Sequence, residues 1–113
     1  MESRTITDAQ ITASTVDNTI HSVSHARLNF QEITDKAAGG WVADANDEHP
    51  WLQVDLGARY AKVIMTGVAT QGRNSPLTYT QWVTKYKLQY IDNGEKIHHY
   101  KELGQATDKV QIA

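Results

Sequence analysis

The chain has no cysteine, which removes disulfides, thiolate metal sites and thiol nucleophiles together. It also has no charge surplus: 11 Lys and Arg stand against 13 Asp and Glu, a net charge of -2. Such a balance supplies none of the basic field that drives nucleic-acid affinity, so DNA and RNA are not expected partners. Long apolar runs are missing as well. The opening MESRTITDAQ lacks the apolar core of a signal peptide, and no later stretch approaches the roughly 18 apolar residues of a transmembrane segment. Gly-x-Ser-x-Gly, His-Glu-x-x-His and phosphate-loop motifs do not occur, nor does an Asn-x-Ser/Thr sequon, so catalysis is not expected. With 113 residues, 40% of them hydrophobic, the chain can bury one modest core, and a single domain over 1–113 is expected.

What is present is a series of short strand-like runs between turn signals. They are QITAST (10–15), WVAD (41–44), WLQVDLG (51–57), AKVIMTGVATQG (61–72), QWVTKYKLQYI (81–91) and KVQIA (109–113). In WLQVDLG, Leu52, Val54 and Leu56 share one parity and Gln53 and Asp55 the other, the period of a half-buried strand. Pro50, without an N–H, marks its start and Gly57 its end. Along QWVTKYKLQYI the residues Trp82, Thr84, Tyr86, Leu88 and Tyr90 share a face, opposite Gln81, Lys85, Lys87 and Gln89. Asp92, Asn93 and Gly94 then supply tight-turn chemistry, so KIHHYKE (96–102) is expected to return as a hairpin partner. Only NFQEITDKAAGG (29–40) reads as helical, by one or two turns, with Asn29 and Glu32 at capping-box spacing and Gly39 as a stop. The pattern as a whole predicts an all-β antiparallel sandwich or barrel.

Taken in order, QITAST, ARLN (26–29), GGWVAD (39–44), WLQVDLG, TGVATQGR (66–73) and WVTKYKLQY (82–90) resemble the discoidin domain, also called the coagulation factor 5/8 type C domain. The resemblance runs from about Asp8 to about Tyr100. It implies a jelly-roll-like barrel of eight antiparallel strands with loops, or spikes, projecting from one end. In the family those loops contact phospholipid membranes, glycans or proteins, so the resemblance implies a non-catalytic binding or adhesion module at the cell surface or outside the cell. The family domain is longer at its C-terminal end and carries a terminal cysteine pair that is missing here. On that comparison the strands that close the barrel have no counterpart after Ala113. An open sheet edge invites association, so a homo-oligomer or a partner that completes the sheet is also expected.

The resemblance also selects candidate site residues. The first spike corresponds to TVDNTIHSVS (15–24), with Ile20 and His21 near its tip. The third corresponds to RNSPLTYTQ (73–81), where Pro76 and Leu77 take the place of an exposed apolar pair, beside Tyr79 and with Arg73 and Asn74 at the base. Two apolar tips on one rim would form a patch suited to a phospholipid surface. Between them in sequence, DANDEHP (44–50) offers Asp44, Asn46, Asp47 and His49 to a glycan or peptide. Its carboxylates, with Glu48, also offer hard oxygens of the kind calcium takes, although the glycine turn of an EF-hand is absent. His21 and His25 have the spacing of a zinc pair only on a helix, which this stretch does not read as. His98 and His99 point to opposite faces of one strand. Trp41, Trp51, Trp82, Tyr86 and Tyr90 read as core and cross-strand packing rather than a sugar platform.

Overall fold

A computed structural model describes residues 3–57, 64–75, 81–92, 96–100 and 110–112. Its regular structure is β with little helix. The strands are β1 (Ile11–Ala13), β2 (Leu52–Val54), β3 (Lys85–Lys87), β4 (Gln89–Ile91), β5 (Ile97–His99) and β6 (Val110–Ile112). They pair antiparallel as β1 with β2, β3 with β6, and β4 with β5. Three short 3-10 helices, Asp8–Gln10, Thr19–His21 and Val23–Ala26, complete the described elements. The chain divides into two units, Met1–Gln81 and Trp82–Ala113.

In the first unit the alternation of WLQVDLG becomes the β1–β2 ladder, with Ile11 opposite Val54 and Ala13 opposite Leu52. Ile11 is 4% exposed, while Val54 and Leu56 are only half-buried and Leu52 is exposed. The strand phase is therefore visible but shallow. The strand stops at Val54, short of the expected end at Gly57. Gly57 adopts a left-handed conformation (φ 80°) that glycine takes without strain. Its amide donates to the Asp55 carboxylate at 2.8 Å.

The helix expected over 29–40 does not form. Asn29 (φ 61°) and Asp35 (φ 59°) are left-handed, which breaks any α-helical run, and Ile33 and Ala37 instead close a tight antiparallel bridge. Gly39 is no helix stop. A Cβ there would lie 1.8 Å from the Asn74 carbonyl oxygen, so glycine is required because another backbone passes against it. WVAD is likewise not a strand: Val42 accepts from the Asp17 amide at 2.9 Å, and the Trp41 indole donates to the Thr15 carbonyl at 2.9 Å. The described part of AKVIMTGVATQG, from Ile64 onward, is extended loop with Ile64, Met65 and Val68 exposed.

The second unit holds the hairpin anticipated from Asp92-Asn93-Gly94: β4 and β5 pair with Tyr90 opposite His98 and Ile91 opposite Ile97. The turn residues Asn93 and Gly94 lie outside the described residues. QWVTKYKLQYI does not run as one strand, since β3 and β4 separate at Leu88 into different ladders. The aromatic core expected here is only partly realised. Tyr86, like Trp41 in the first unit, is half-buried, but Trp51, Trp82 and Tyr90 are exposed. No helix among the described residues is long and apolar enough to cross a membrane.

Candidate functional site

The loop after Trp41 is built from short polar residues that bond their own backbone. The Asp44 carboxylate accepts from the Asn46 amide at 2.8 Å and from its side-chain nitrogen at 3.0 Å, and the Asp47 amide donates back to the Asp44 carbonyl at 3.0 Å. Such turns are what Asp and Asn form when they compete with regular structure. Asp47 then ties the loop to the strand end that precedes it in space. One of its carboxylate oxygens accepts from Ser14 Oγ at 2.5 Å and Thr15 Oγ1 at 2.7 Å, and the other from the His49 amide at 3.1 Å. The hydroxyls are used again: Thr15 Oγ1 accepts from the Asp44 amide and Ser14 Oγ from the Trp51 amide, each at 3.0 Å. Hydrogen bonds from Ser14 and Thr15, then from the His49 amide, hold the Asp47 carboxyl below the usual carboxylate range against a smaller opposing effect of burial.

This wiring leaves an open depression of about 660 Å³, lined by Thr15, Val16 and the loop residues Asp44 to His49 except Ala45. Asn46, Glu48 and His49 are exposed along it, and Asp44 and Asp47 are half-buried. Of the carboxylates offered to calcium by sequence, Asp44 and Asp47 accept hydrogen bonds from the loop and from Ser14 and Thr15. No group of three or more His, Asp or Glu side chains able to hold a metal ion occurs among the described residues.

The first spike is compact. Asn18 caps the Thr19–His21 helix through the Ile20 amide at 3.1 Å. Ile20 is 36% exposed at its tip. His21 turns inward, with Nδ1 3.3 Å from the Asp17 carboxylate. His25 stacks on Phe30 and bonds the Ile20 carbonyl at 3.0 Å, so the two histidines serve different partners. Burial, first, pushes His25 below its ordinary range.

At the base of the third spike Arg73 is fixed rather than free. Its guanidinium donates to the Glu32 carboxylate at 3.1 and 2.9 Å and to the Gln81 side chain at 2.9 Å. Arg73, first, holds the Glu32 carboxyl below the usual range. The Asn74 amide donates to the Gly39 carbonyl at 3.0 Å, and the Ala38 amide donates to the Ile20 carbonyl at 2.7 Å. The dipeptide Ala38–Gly39 thus joins the Ile20 tip to Asn74. Pro76, Leu77 and Tyr79 lie outside the described residues. Sequence reasoning missed Ser14, Thr15 and Glu32, which carry no local signal because their partners are 33, 32 and 41 residues away.

Comparison with known proteins fits this arrangement of short strands and wired loops. The sequence profile of the F5/8 type C domain matches residues 10–113. The chain is 37% identical over 112 residues to Discoidin, CUB and LCCL domain-containing protein 2 of Rattus norvegicus, with 97% of the chain and 14% of that protein covered. It is 35% identical over 116 residues to EGF-like repeat and discoidin I-like domain-containing protein 3 of Homo sapiens, covering 97% of the chain and 22% of that protein. The chain thus spans less than a quarter of either relative. No solved structure matches it. By the extent of the profile match and the identity to these relatives, the chain belongs to the F5/8 type C, or discoidin, domain family.

Proposed function

We propose that this domain is a non-catalytic binding module of the cell surface or extracellular space, and that it recognises a polar ligand, a glycan first, through the loop Asp44–His49. Family membership supports the general reading, since F5/8 type C domains bind ligands or membranes. The observation that carries the specific one is the Asp47 brace. A loop whose inner carboxylate accepts three hydrogen bonds is ordered before the ligand arrives, so less conformational freedom is lost on binding. Asn46, Glu48 and His49 offer the ligand its hydrogen bonds, with Asp44 and Asp47 as frame.

Membrane insertion is the second reading, favoured by the Ala38–Gly39 link between the Ile20 tip and the base of the third spike. Magnitude weighs against it as the sole mode. Fully burying an isoleucine or leucine contributes about 1.5–3 kcal/mol. At 36% exposure Ile20 retains roughly a third of that, and Leu77 adds at most the full amount, for a total of about 2–4 kcal/mol. A dissociation constant of 1 mM already needs about 4 kcal/mol. Two such tips do not hold a monomer on lipid, and the net charge of -2 adds no attraction to anionic headgroups.

A glycan array and sedimentation with phosphatidylserine-containing vesicles, each run with wild type, Glu48→Gln, His49→Ala and Leu77→Ser, test both readings. Glycan binding lost in Glu48→Gln or His49→Ala and kept in Leu77→Ser supports the polar loop. Vesicle binding lost only in Leu77→Ser would replace it with insertion.

A further inference from the structure

A second open depression, of about 310 Å³, lies between the N-terminal segment and the loop after Arg27 and shares no lining residue with the first. Its walls are unlike the polar loop. Leu28 and Phe30 are half-buried in it, and Ile33 stands 54% exposed at its edge. Phe30 is held in place by its stack on His25, ring centroids 4.4 Å apart and 16° from parallel. The charged part is positive. Arg27 is buried and committed to the Asp8 carboxylate and the Ile6 carbonyl. Arg4 is exposed, lines the same depression and has no ion-pair or hydrogen-bond partner among the described residues. Two guanidiniums therefore face one carboxylate, which leaves a single positive charge at an apolar surface. Of the three non-glycine residues with left-handed backbone among the described residues, two, Arg4 (φ 59°) and Asn29 (φ 61°), line this depression. Conformations of that kind persist where the surroundings fix them, and they concentrate at ligand clamps.

We infer that this depression is a binding site for a small organic carboxylate with an apolar body, its carboxylate on Arg4 and its chain against Leu28, Phe30 and Ile33. The chemistry is complementary. An arginine fork matches a carboxylate through paired charge-assisted hydrogen bonds, and the volume lies at the lower end of small-molecule pockets. Arg27 holds Asp8 through Oδ1, and Arg4 acts on that carboxylate only through its charge, with no hydrogen bond between them among the described residues. The occupant is a free small molecule rather than a macromolecule, because the apolar wall is the length of one short side-chain cluster.

The test is an NMR titration of the 113-residue chain with sodium octanoate, and separately with octan-1-ol, which keeps the apolar body and lacks the charge. Octanoate should saturate below about 10 mM, with amide shifts confined to residues 3–6 and 28–33. Octan-1-ol should bind about tenfold more weakly, and Arg4→Gln should weaken octanoate by about the same factor, the loss of one charge-assisted contact. Because Arg4 is exposed, the variant's melting temperature should not move. Ile33→Ser, also exposed, should weaken both ligands. Equal binding of octanoate and octan-1-ol, octanoate binding unchanged in Arg4→Gln, or no saturable shift at 28–33 would each overturn the assignment.

Discussion

Met1–Gln81 and Trp82–Ala113 are held by different means. In the first unit side-chain bonds span the sequence beside the β1–β2 ladder and single backbone bonds: Asp8 to Arg27, Ser14 and Thr15 to Asp47, Glu32 to Arg73, and Gln71 to the Asn29 amide. They stand in for an extended apolar core, of which Ile11, Ala37 and Ala38 are the buried members among the described residues. In the second unit the described ties are backbone ladders of three residue pairs each. Among its side-chain bonds, His98 to Asp92, the Lys96 amide to Asp92 and Gln89 to His99 lie within one hairpin. Polar ties are directional and titrate, whereas ladders depend little on which side chains are present. The two units should therefore fail under different insults.

The largest effect should come from Gly39→Ala. Its Cβ would meet the Asn74 carbonyl at 1.8 Å, and backbone cannot yield as a flexible side chain does. A loss of about 3 kcal/mol or more is expected, at the top of the range for overpacking. Chemical denaturation with probes in each unit checks this, and an unaffected first unit would show that the Ala38–Gly39 segment is loosely held. Arg27→Ala comes next. Arg27 is 5% exposed, but the carboxylate left behind is 58% exposed. The cost should therefore fall below the ~3–5 kcal/mol of pairs that strand a buried charge, and a melting temperature lowered less than by Gly39→Ala checks it.

Acid should separate the units more gradually. The folded chain holds His25 below its ordinary 6.5, Asp8 and Asp47 below 3.8, and Glu32 below 4.5. Each therefore binds its proton more readily when unfolded, so each contribution is complete above the ordinary value and is lost as pH falls through the folded one. Thermal melts should show a small decline of the first unit below pH 6.5 and a steep one below pH 4.5. All four groups belong to that unit. A first unit that melts at the same temperature at pH 7 and pH 3 would contradict the polar account.

The smallest effect should be Ile97→Ser, in the second unit. Ile97 faces Ile91 across the hairpin, yet the two are 61% and 49% exposed. A cross-strand pair of this kind contributes about 0.2–1 kcal/mol, so the hairpin should survive with a slightly lower melting temperature. A collapse of the second unit would reveal packing that the exposure of these residues does not suggest.

The same contrast marks what could be read from sequence. Strands were legible where a local pattern dictates them: the alternation of WLQVDLG gave β2, though it stops at Val54 rather than at Gly57, and the turn residues after Ile91 gave the β4–β5 hairpin. The loop Asp44–His49 was legible as a polar feature, and its distance from an EF-hand was visible. Its brace was not, because Ser14 and Thr15 lie more than thirty residues away and resemble any strand end. The misread helix at 29–40 shows the converse. Phe30, Ile33 and Ala37 have helical spacing, but left-handed Asn29 and Asp35 and the passage of Asn74 against Gly39 override it. Propensity yields to tertiary contact there.

Residue-resolved amide hydrogen exchange on wild type and Asp47→Ala at neutral pH shows whether the Asp47 brace orders the loop Asp44–His49. The amides of His49, Asp44 and Trp51 donate into the Asp47, Thr15 and Ser14 network, whereas that of Tyr100 donates to the Leu88 carbonyl in the other unit. Asp47→Ala is expected to deprotect the first three together and to leave Tyr100 unchanged. Protection of His49 and Asp44 that persists without the Asp47 carboxylate would contradict that ordering.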